Sequence, residues 1–263
     1  MAGAAPDLVL ATWNIHAGVG TDGRFGLERI AAEVARLDAD VVALQEVDAY
    51  QGRSRGINMW RELGLRTGMA AFFGPNLLGP DPEAAAPDGH PGRWVPQYGN
   101  AVLTRLPVVA VENHLLSRPG GPAMEPRGCL EVDFGTWALL ATHWGLDGAE
   151  RQAQSRDLCT LVRRSDAAGR PAVVLGDLNA VRVSPEVERL RALRLDAGAG
   201  AGPTFPADGP TRRIDYAFLP PTWQAVQARV LATPASDHHP LVVTARPGAL
   251  AGAPAASTAP VQP

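Results

Sequence analysis

The chain is 263 residues long, 46% hydrophobic and 19% charged, and its 24 basic against 27 acidic side chains give a formal net charge of −3. That length suits one large α/β domain with a sizeable core. The charge balance excludes an overall basic field of the kind that holds duplex nucleic acid, leaving only a local patch open. All 24 basic residues are arginine, which removes Schiff-base chemistry, the lysine of a Walker loop and lysine as a general base. Cys129 and Cys159 lack the CxxC spacing of a thiolate zinc site and read as buried small apolar residues. The N-terminal MAGAAPDLVLATWNIHAG carries no basic n-region, and no stretch nears the ~20 apolar residues of a membrane span, so a soluble cytoplasmic protein is expected.

Short apolar runs alternate with helical patterns along the chain. Residues 8–13 read as a buried strand. Leu27, Ile30, Ala31, Val34 and Leu37 then fall at helical spacing and form one apolar stripe, followed by a strand at 41–44. Residues 74–97 are too long and too rich in Gly and Pro for a plain connection, and read as a loop over a site. Strands at 99–104, 108–113 and 131–134 precede one at 138–142. An amphipathic helix at 149–166 turns Leu158, Leu161 and Val162 inward, and a strand follows at 172–175. Ser184-Pro185-Glu186 starts another helix, with a capping hydroxyl, a proline in the first turn and an acid near the positive dipole end. Strands at 214–219 and 241–244 complete the pattern, and the short connections indicate mixed pairing. One domain is expected over 7–246; residues 247–263, without charge or periodicity, read as a disordered low-complexity tail.

Polar residues stand where the buried strands end. Asn14 follows LVLATW, Glu46 follows VVALQ, His143 follows ALLAT, and Asp177 and Asn179 follow AVVLG. Asp215 sits within RIDYAFL, and Asp237 and His238 stand just before the last strand. Each alone has an ordinary explanation in capping and turns. Together, carboxylates, amides and imidazoles at strand ends converge on one rim, where open α/β sheets seat their ligands. Without a cysteine cluster, such a set suits a hard cation, Mg²⁺ or Mn²⁺.

TWNI (12–15), LQEV (44–47), YGNAVLTRLPV (98–108), ATHW (141–144), LGDLNA (175–180), RIDYAFL (213–219) and SDHHPL (236–241) occur in an order that resembles the endonuclease/exonuclease/phosphatase superfamily. The resemblance spans residue 8 to about 245. It implies a four-layer α/β sandwich, two mixed sheets face to face with helices outside. The activity it implies is Mg²⁺-dependent hydrolysis of phosphoester bonds by in-line attack of water.

The resemblance also implies roles for individual residues. Glu46 matches the principal metal ligand, with Asn14 and Asp237 adding to the metal shell. Asp177 would deprotonate the attacking water, and Asn179 would hydrogen-bond the phosphate or that water. His238 would contact the phosphate with Asp215 on its other nitrogen. His143 would also reach the phosphate, as general acid to the leaving oxygen. Asn100 and Arg127 would line the phosphate pocket, a guanidinium being suited to bidentate contact. Apart from the resemblance, Arg53 in the loop after Glu46 reads either as a contact to an anionic substrate or as a solvated loop charge. One departure is His16, which stands where exonuclease III-type enzymes carry a further metal-binding acid; it reads as structural. Trp144 reads as core. A small or lipid-like phosphodiester or phosphomonoester is the expected substrate. A DNA or RNA nuclease is the alternative, and a catalytically inactive binding module the remoter one.

Overall fold

The computed structural model describes residues 6–79 and 95–248. In chain order these form β1 (Leu8–Asn14), α1 (Leu27–Leu37), β2 (Val41–Ala49), α2 (Met59–Thr67), β3 (Ala70–Leu78), β4 (Gln97–Thr104), β5 (Ala110–Leu115) and β6 (Gly128–Asp133). There follow β7 (Ala138–His143), α3 (Gly148–Ala167), β8 (Ala172–Asp177), α4 (Pro185–Arg191), β9 (Leu195–Asp196), β10 (Asp215–Leu219), β11 (Gln224–Val230) and β12 (Leu241–Arg246). The strands make two six-stranded sheets, ordered β11-β12-β1-β2-β4-β3 and β5-β6-β7-β8-β10-β9.

Alternation along the central strands explains the layering. Leu10, Val41, Ala43 and Val102 of the first sheet face Leu139, Ala141, Val173 and Leu175 of the second, in one sealed apolar layer. The intervening residues point the other way. Ala11, Trp13, Val42 and Leu44 pack under Ile30 and Val34 of α1 and Leu63 of α2. Leu140, Val174, Tyr216 and Phe218 pack under Leu158 and Val162 of α3 and Leu190 of α4. Strands buried on both faces are therefore uniformly apolar, as their sequences require. The result is the expected four-layer sandwich with two mixed sheets.

Each sheet contains one parallel pair joined by a helical crossover, β1-α1-β2 and β7-α3-β8. Parallel pairing brings the carboxyl ends of its two strands to the same edge. In register, Asn14 lies beside Gln45, and His143 beside Asp177. Antiparallel β10 begins at that edge, so Asp215 also pairs with Asp177.

The expected elements are present with ends shifted by a few residues, and four further ones appear: α2, β3, β9 and β11. Residues 74–78 continue β3, so the expected loop at 74–97 is shorter at both ends, and 80–94 lie outside the described residues. Residues 249–263 of the expected tail lie outside them too. Ser184 sits at the N-cap of α4 without a side-chain cap bond, whereas Asp147 accepts from the N–H groups of Ala149 and Glu150 at 2.8 and 3.2 Å at the head of α3. Asp147→Ala should therefore cost about 1 kcal/mol, read as a lowered urea midpoint with an unchanged slope. Cys129 and Cys159 are buried free thiols, and Trp144 lies in the core under α3. Among the described residues no helix is long and apolar enough to cross a membrane.

Candidate active site

The rim is assembled by backbone irregularities at the ends of regular strands. Between Leu44 and Val47 the β2–β4 register slips by one residue, a bulge that leaves Gln45 and Glu46 opposite Asn100. Glu46 takes a left-handed φ of 57°, a conformation rare for a non-glycine residue and frequent at functional sites. The bulge turns its carboxylate onto the rim, where Asn14 Nδ2 donates to Glu46 Oε1 at 3.0 Å. Asn179 is left-handed too, with φ 48°, and its backbone N–H donates to Asp177 Oδ1 at 2.8 Å.

Asp177 is the centre of the arrangement. It is 1% exposed, and its Oδ2 accepts from Asn14 Nδ2 at 3.1 Å. Two imidazoles face that same oxygen, His143 Nε2 at 3.5 Å and His238 Nε2 at 3.7 Å. Burial, with the nearby Asp215 charge, pushes the Asp177 carboxyl up to about 7, against the pull of His238, the Asn179 N–H and Asn14. A carboxyl that titrates near neutrality is suited to general-base work.

The two histidines are opposite in character. Asp215 Oδ2 lies 2.9 Å from His238 Nδ1. Burial alone would depress that ring, but the Asp215 charge and hydrogen bond, with Asp177 and Asp237 behind them, push it up to about 10. His238 is therefore an imidazolium at neutral pH. His143 instead has a cation at Nδ1: Arg127 Nη1 donates to it at 3.0 Å. A guanidinium only donates, so Nδ1 accepts and Nε2 carries the single ring hydrogen. Asn179 Nδ2 also lies 3.1 Å from Nε2, but donates to the Trp144 carbonyl at 2.9 Å. Burial, then the Arg127 and His238 charges, hold His143 well below its ordinary value, so it stays neutral.

The segment carrying His238 is tied down by bonds with little sequence signature. Trp13 Nε1 donates to the His238 carbonyl at 2.9 Å, Ser236 Oγ donates to the Asn14 carbonyl at 2.7 Å, and Phe205 packs on the His238 ring at a centroid distance of 4.6 Å. Ser236 stood in the SDHHPL motif as a signal; Phe205 stood in none.

The sequence profile of the endonuclease/exonuclease/phosphatase family matches residues 11–238. The chain belongs to this family. It is 30% identical over 223 residues to the uncharacterized protein YbhP of Escherichia coli strain K12, covering 79% of this chain and 83% of that one. A solved endonuclease/exonuclease/phosphatase from Beutenbergia cavernae superposes with a TM-score of 0.75 at 28% identity, over 93% of this chain and 72% of that one. The mannosyl-6-phosphatase of Bacteroides thetaiotaomicron shares the fold, with a TM-score of 0.69 at 18% identity over 90% of this chain and 99% of the other. Members of this family are hydrolases of phosphoester bonds that use a metal ion.

The remaining residues of interest separate into those at the rim and those engaged elsewhere. Asp237 Oδ1 lies 3.7 Å from His16 Nδ1, and both side chains are well exposed. Asn14 acts as a clamp, since its Oδ1 is taken by the His16 N–H at 3.0 Å while its nitrogen joins Glu46 and Asp177. Arg53 is bound two-pronged to the buried Asp48 at 2.8 and 2.7 Å. Asn100 is fully buried and donates to the Gly128 carbonyl at 3.0 Å, joining the two sheets. Arg127 holds Glu125 at 2.9 Å as well as His143. His114 lies away from the rim, with Glu131 and Arg164.

Two groups among the described residues bring ligand atoms within 4.8 Å of one another: Asp177, Asp215 and His238 at the rim, and Glu112, His114 and Glu131 away from it. In the first, a doubly protonated His238 is no ligand. The carboxylates of Glu46 and Asp237 are hard oxygen donors of the kind a hard cation takes.

Proposed function

We propose that the chain is a Mg²⁺-dependent hydrolase of small or lipid-like phosphoesters, in which Asp177 takes the proton of the attacking water. The observation that carries this reading is the convergence of two unlike imidazoles on one buried carboxylate that titrates near 7. A divalent ion held by Glu46 and Asp237 would withdraw charge from a phosphoryl oxygen and acidify water. Asn14 orients Glu46 and Asp177 together. His238, as a cation, and His143, through Nε2–H, donate to non-bridging phosphate oxygens, where charge accumulates.

Both rings sit within 4 Å of the Asp177 oxygen, and so beside the attacking water. His143 is neutral, so we give it the part of a donor and not that of general acid. The leaving oxygen takes its proton from solvent, and Asp177 releases the water's proton after the P–O bond has broken.

Nuclease action finds less support. Arg53, Arg127 and Arg213 are held by Asp48, Glu125 and Asp196, which leaves these three poorly placed to release counterions from a polynucleotide. The test is Mg²⁺- and Mn²⁺-dependent hydrolysis of p-nitrophenyl phosphate and bis-p-nitrophenyl phosphate beside single- and double-stranded DNA. Turnover of the small esters with DNA intact is expected; degraded DNA alone would reverse the assignment.

Metal binding has its own readout. At saturating Mn²⁺ the melting temperature should rise by roughly 5 °C. Glu46→Gln should remove most of that rise while leaving the metal-free midpoint close to wild type. An undiminished rise would take Glu46 out of the metal shell.

A further inference from the structure

One residue past His238 the surface opens a second cavity. This cleft of about 490 Å³ is lined by Thr21, Asp208, Thr233 and His239, with Ala207 and Pro234 between them. It shares a wall with the phosphate site. The Ala207 N–H donates to the Asp237 carbonyl at 2.7 Å, the Thr21 N–H donates to the Pro234 carbonyl at 3.0 Å, and Phe205, two residues before Ala207, packs on His238.

The Thr21 hydroxyl donates to the Pro234 carbonyl at 3.4 Å, but the other polar groups keep capacity to spare. The Thr233 N–H donates to His239 Nδ1 at 3.3 Å, so His239 presents Nε2–H. That ring is 6% exposed, and Nε2 has no hydrogen-bond partner among the described residues and is not sealed from solvent. Thr233 Oγ1 accepts from the Ala235 N–H at 3.1 Å and keeps its own hydrogen to give. Asp208 makes no ion pair among the described residues, and no arginine lines the cleft.

A carboxylate beside hydroxyl and N–H donors suits a ligand with several neighbouring hydroxyls, each able both to give and to accept a hydrogen bond. A second phosphate would face Asp208 without a compensating cation. A nucleobase would find no tyrosine, tryptophan or phenylalanine in the lining to stack on. An acyl chain would find only scattered methyl and ring carbons.

We propose that this cleft seats a neutral polyhydroxylated group, so that the substrate is the phosphoester of a sugar or glycerol-like polyol. The proposal rests on the phosphoester-hydrolase reading given above. In the step, the water oxygen bonds to phosphorus, its proton goes to Asp177, and the P–O bond to the polyol oxygen breaks. The polyol then takes a proton from solvent and leaves as the free alcohol.

Two measurements test it. In the first, turnover of glucose 6-phosphate, glycerol 3-phosphate and phosphatidylinositol vesicles is compared with that of p-nitrophenyl phosphate. Asp208→Ala and Thr233→Val should each lower kcat/KM for the polyol esters about tenfold, mainly through KM, the loss of roughly one hydrogen bond. Turnover of p-nitrophenyl phosphate should change less than twofold. His239→Gln, which keeps an N–H in place, should be milder than His239→Ala. Preference for vesicles over the soluble esters would assign the polyol to a lipid headgroup, and the reverse to a free sugar or glycerol phosphate. Equal losses on polyol and p-nitrophenyl esters would overturn the subsite.

The second measurement needs no turnover: NMR of the His239 and Thr233 signals during titration with glucose and glycerol. Shifts that vanish in Asp208→Ala support the subsite, even in a protein that hydrolyses nothing, in which case the hydrolase reading alone falls. Unmoved signals overturn the subsite, even in an active enzyme.

Discussion

Asp177→Asn should lower kcat by about 10³-fold, the usual order for removing a positioned general base, while the protein stays folded. The amide has the carboxylate's shape but no basic oxygen, so the attacking water keeps its proton. The pH dependence of stability provides a second readout. Burial and Asp215 raise the Asp177 carboxyl to about 7 from an ordinary value of 3.8, so the fold favours its protonated form. In metal-free wild type this contribution is intact below the unfolded value and is lost as pH rises toward 7. The asparagine variant has no such loss. It does place an N–H₂ against a donor, either Asn14 Nδ2 or the Asn179 N–H, so the absolute midpoint is not the quantity to compare. The difference in melting temperature, variant minus wild type, should grow in the variant's favour between pH 4.5 and pH 8. Activity within tenfold of wild type would remove Asp177 from the general-base position. A pH-independent difference would mean that its carboxyl titrates in the ordinary range.

The layering was legible because physics left the sequence little choice. A run such as AVVLGD can be uniformly apolar up to its last residue only if both faces of the strand are covered, and its first polar residue then marks the rim. The same logic exposed Asn14, Glu46, His143 and Asp177. Elements that broke a pattern were not legible. Helix α2 carries Gly64 in its interior, an unfavourable residue there, because an added Cβ would lie 2.8 Å from the Ala71 Cβ of the adjacent strand. Strand β3 contains Gly74 and Pro75, which read as loop, and β11 lies at a sheet edge with its glutamines exposed. At the site, residue identities were legible and their engagements were not. Nothing in LQEV announces a left-handed glutamate, and nothing in the spacing of Arg53 from Asp48 says that the guanidinium turns back to a buried carboxylate. Arg127 was legible only as a cation near phosphate; that it addresses a histidine follows from β6 and β7 being neighbours, a pairing that spacing alone does not fix.

Arg127→Met should cost about 10²-fold in kcat at pH 6 and less at pH 8, a change of pH profile and not a uniform loss. In wild type three groups address the His143 ring: Arg127 at Nδ1, Asn179 and Asp177 at Nε2, with the His238 cation behind them. Arg127 settles the tautomer as Nε2–H. Without it, the Asn179 amide can donate to Nε2, moving the ring hydrogen to Nδ1 and removing the donor that faces the phosphate. A repelling charge is lost as well, so the ring becomes easier to protonate and the rate gains an ionisation on its acid side. Methionine has nearly the volume of the buried arginine stem, and Glu125 is exposed enough to be hydrated without its partner. The expected result is therefore a folded protein. Arg127→Lys, which restores a cationic donor, should recover part of the rate and the flat profile. ¹⁵N NMR gives the direct measurement: in wild type His143 should show Nε2–H and no titration between pH 5 and 9, and in Arg127→Met it should show Nδ1–H and titrate. If the variant keeps the wild-type tautomer and profile, the ring is set by Asn179 and Asp177, and Arg127 returns to the phosphate pocket where the family resemblance first placed it.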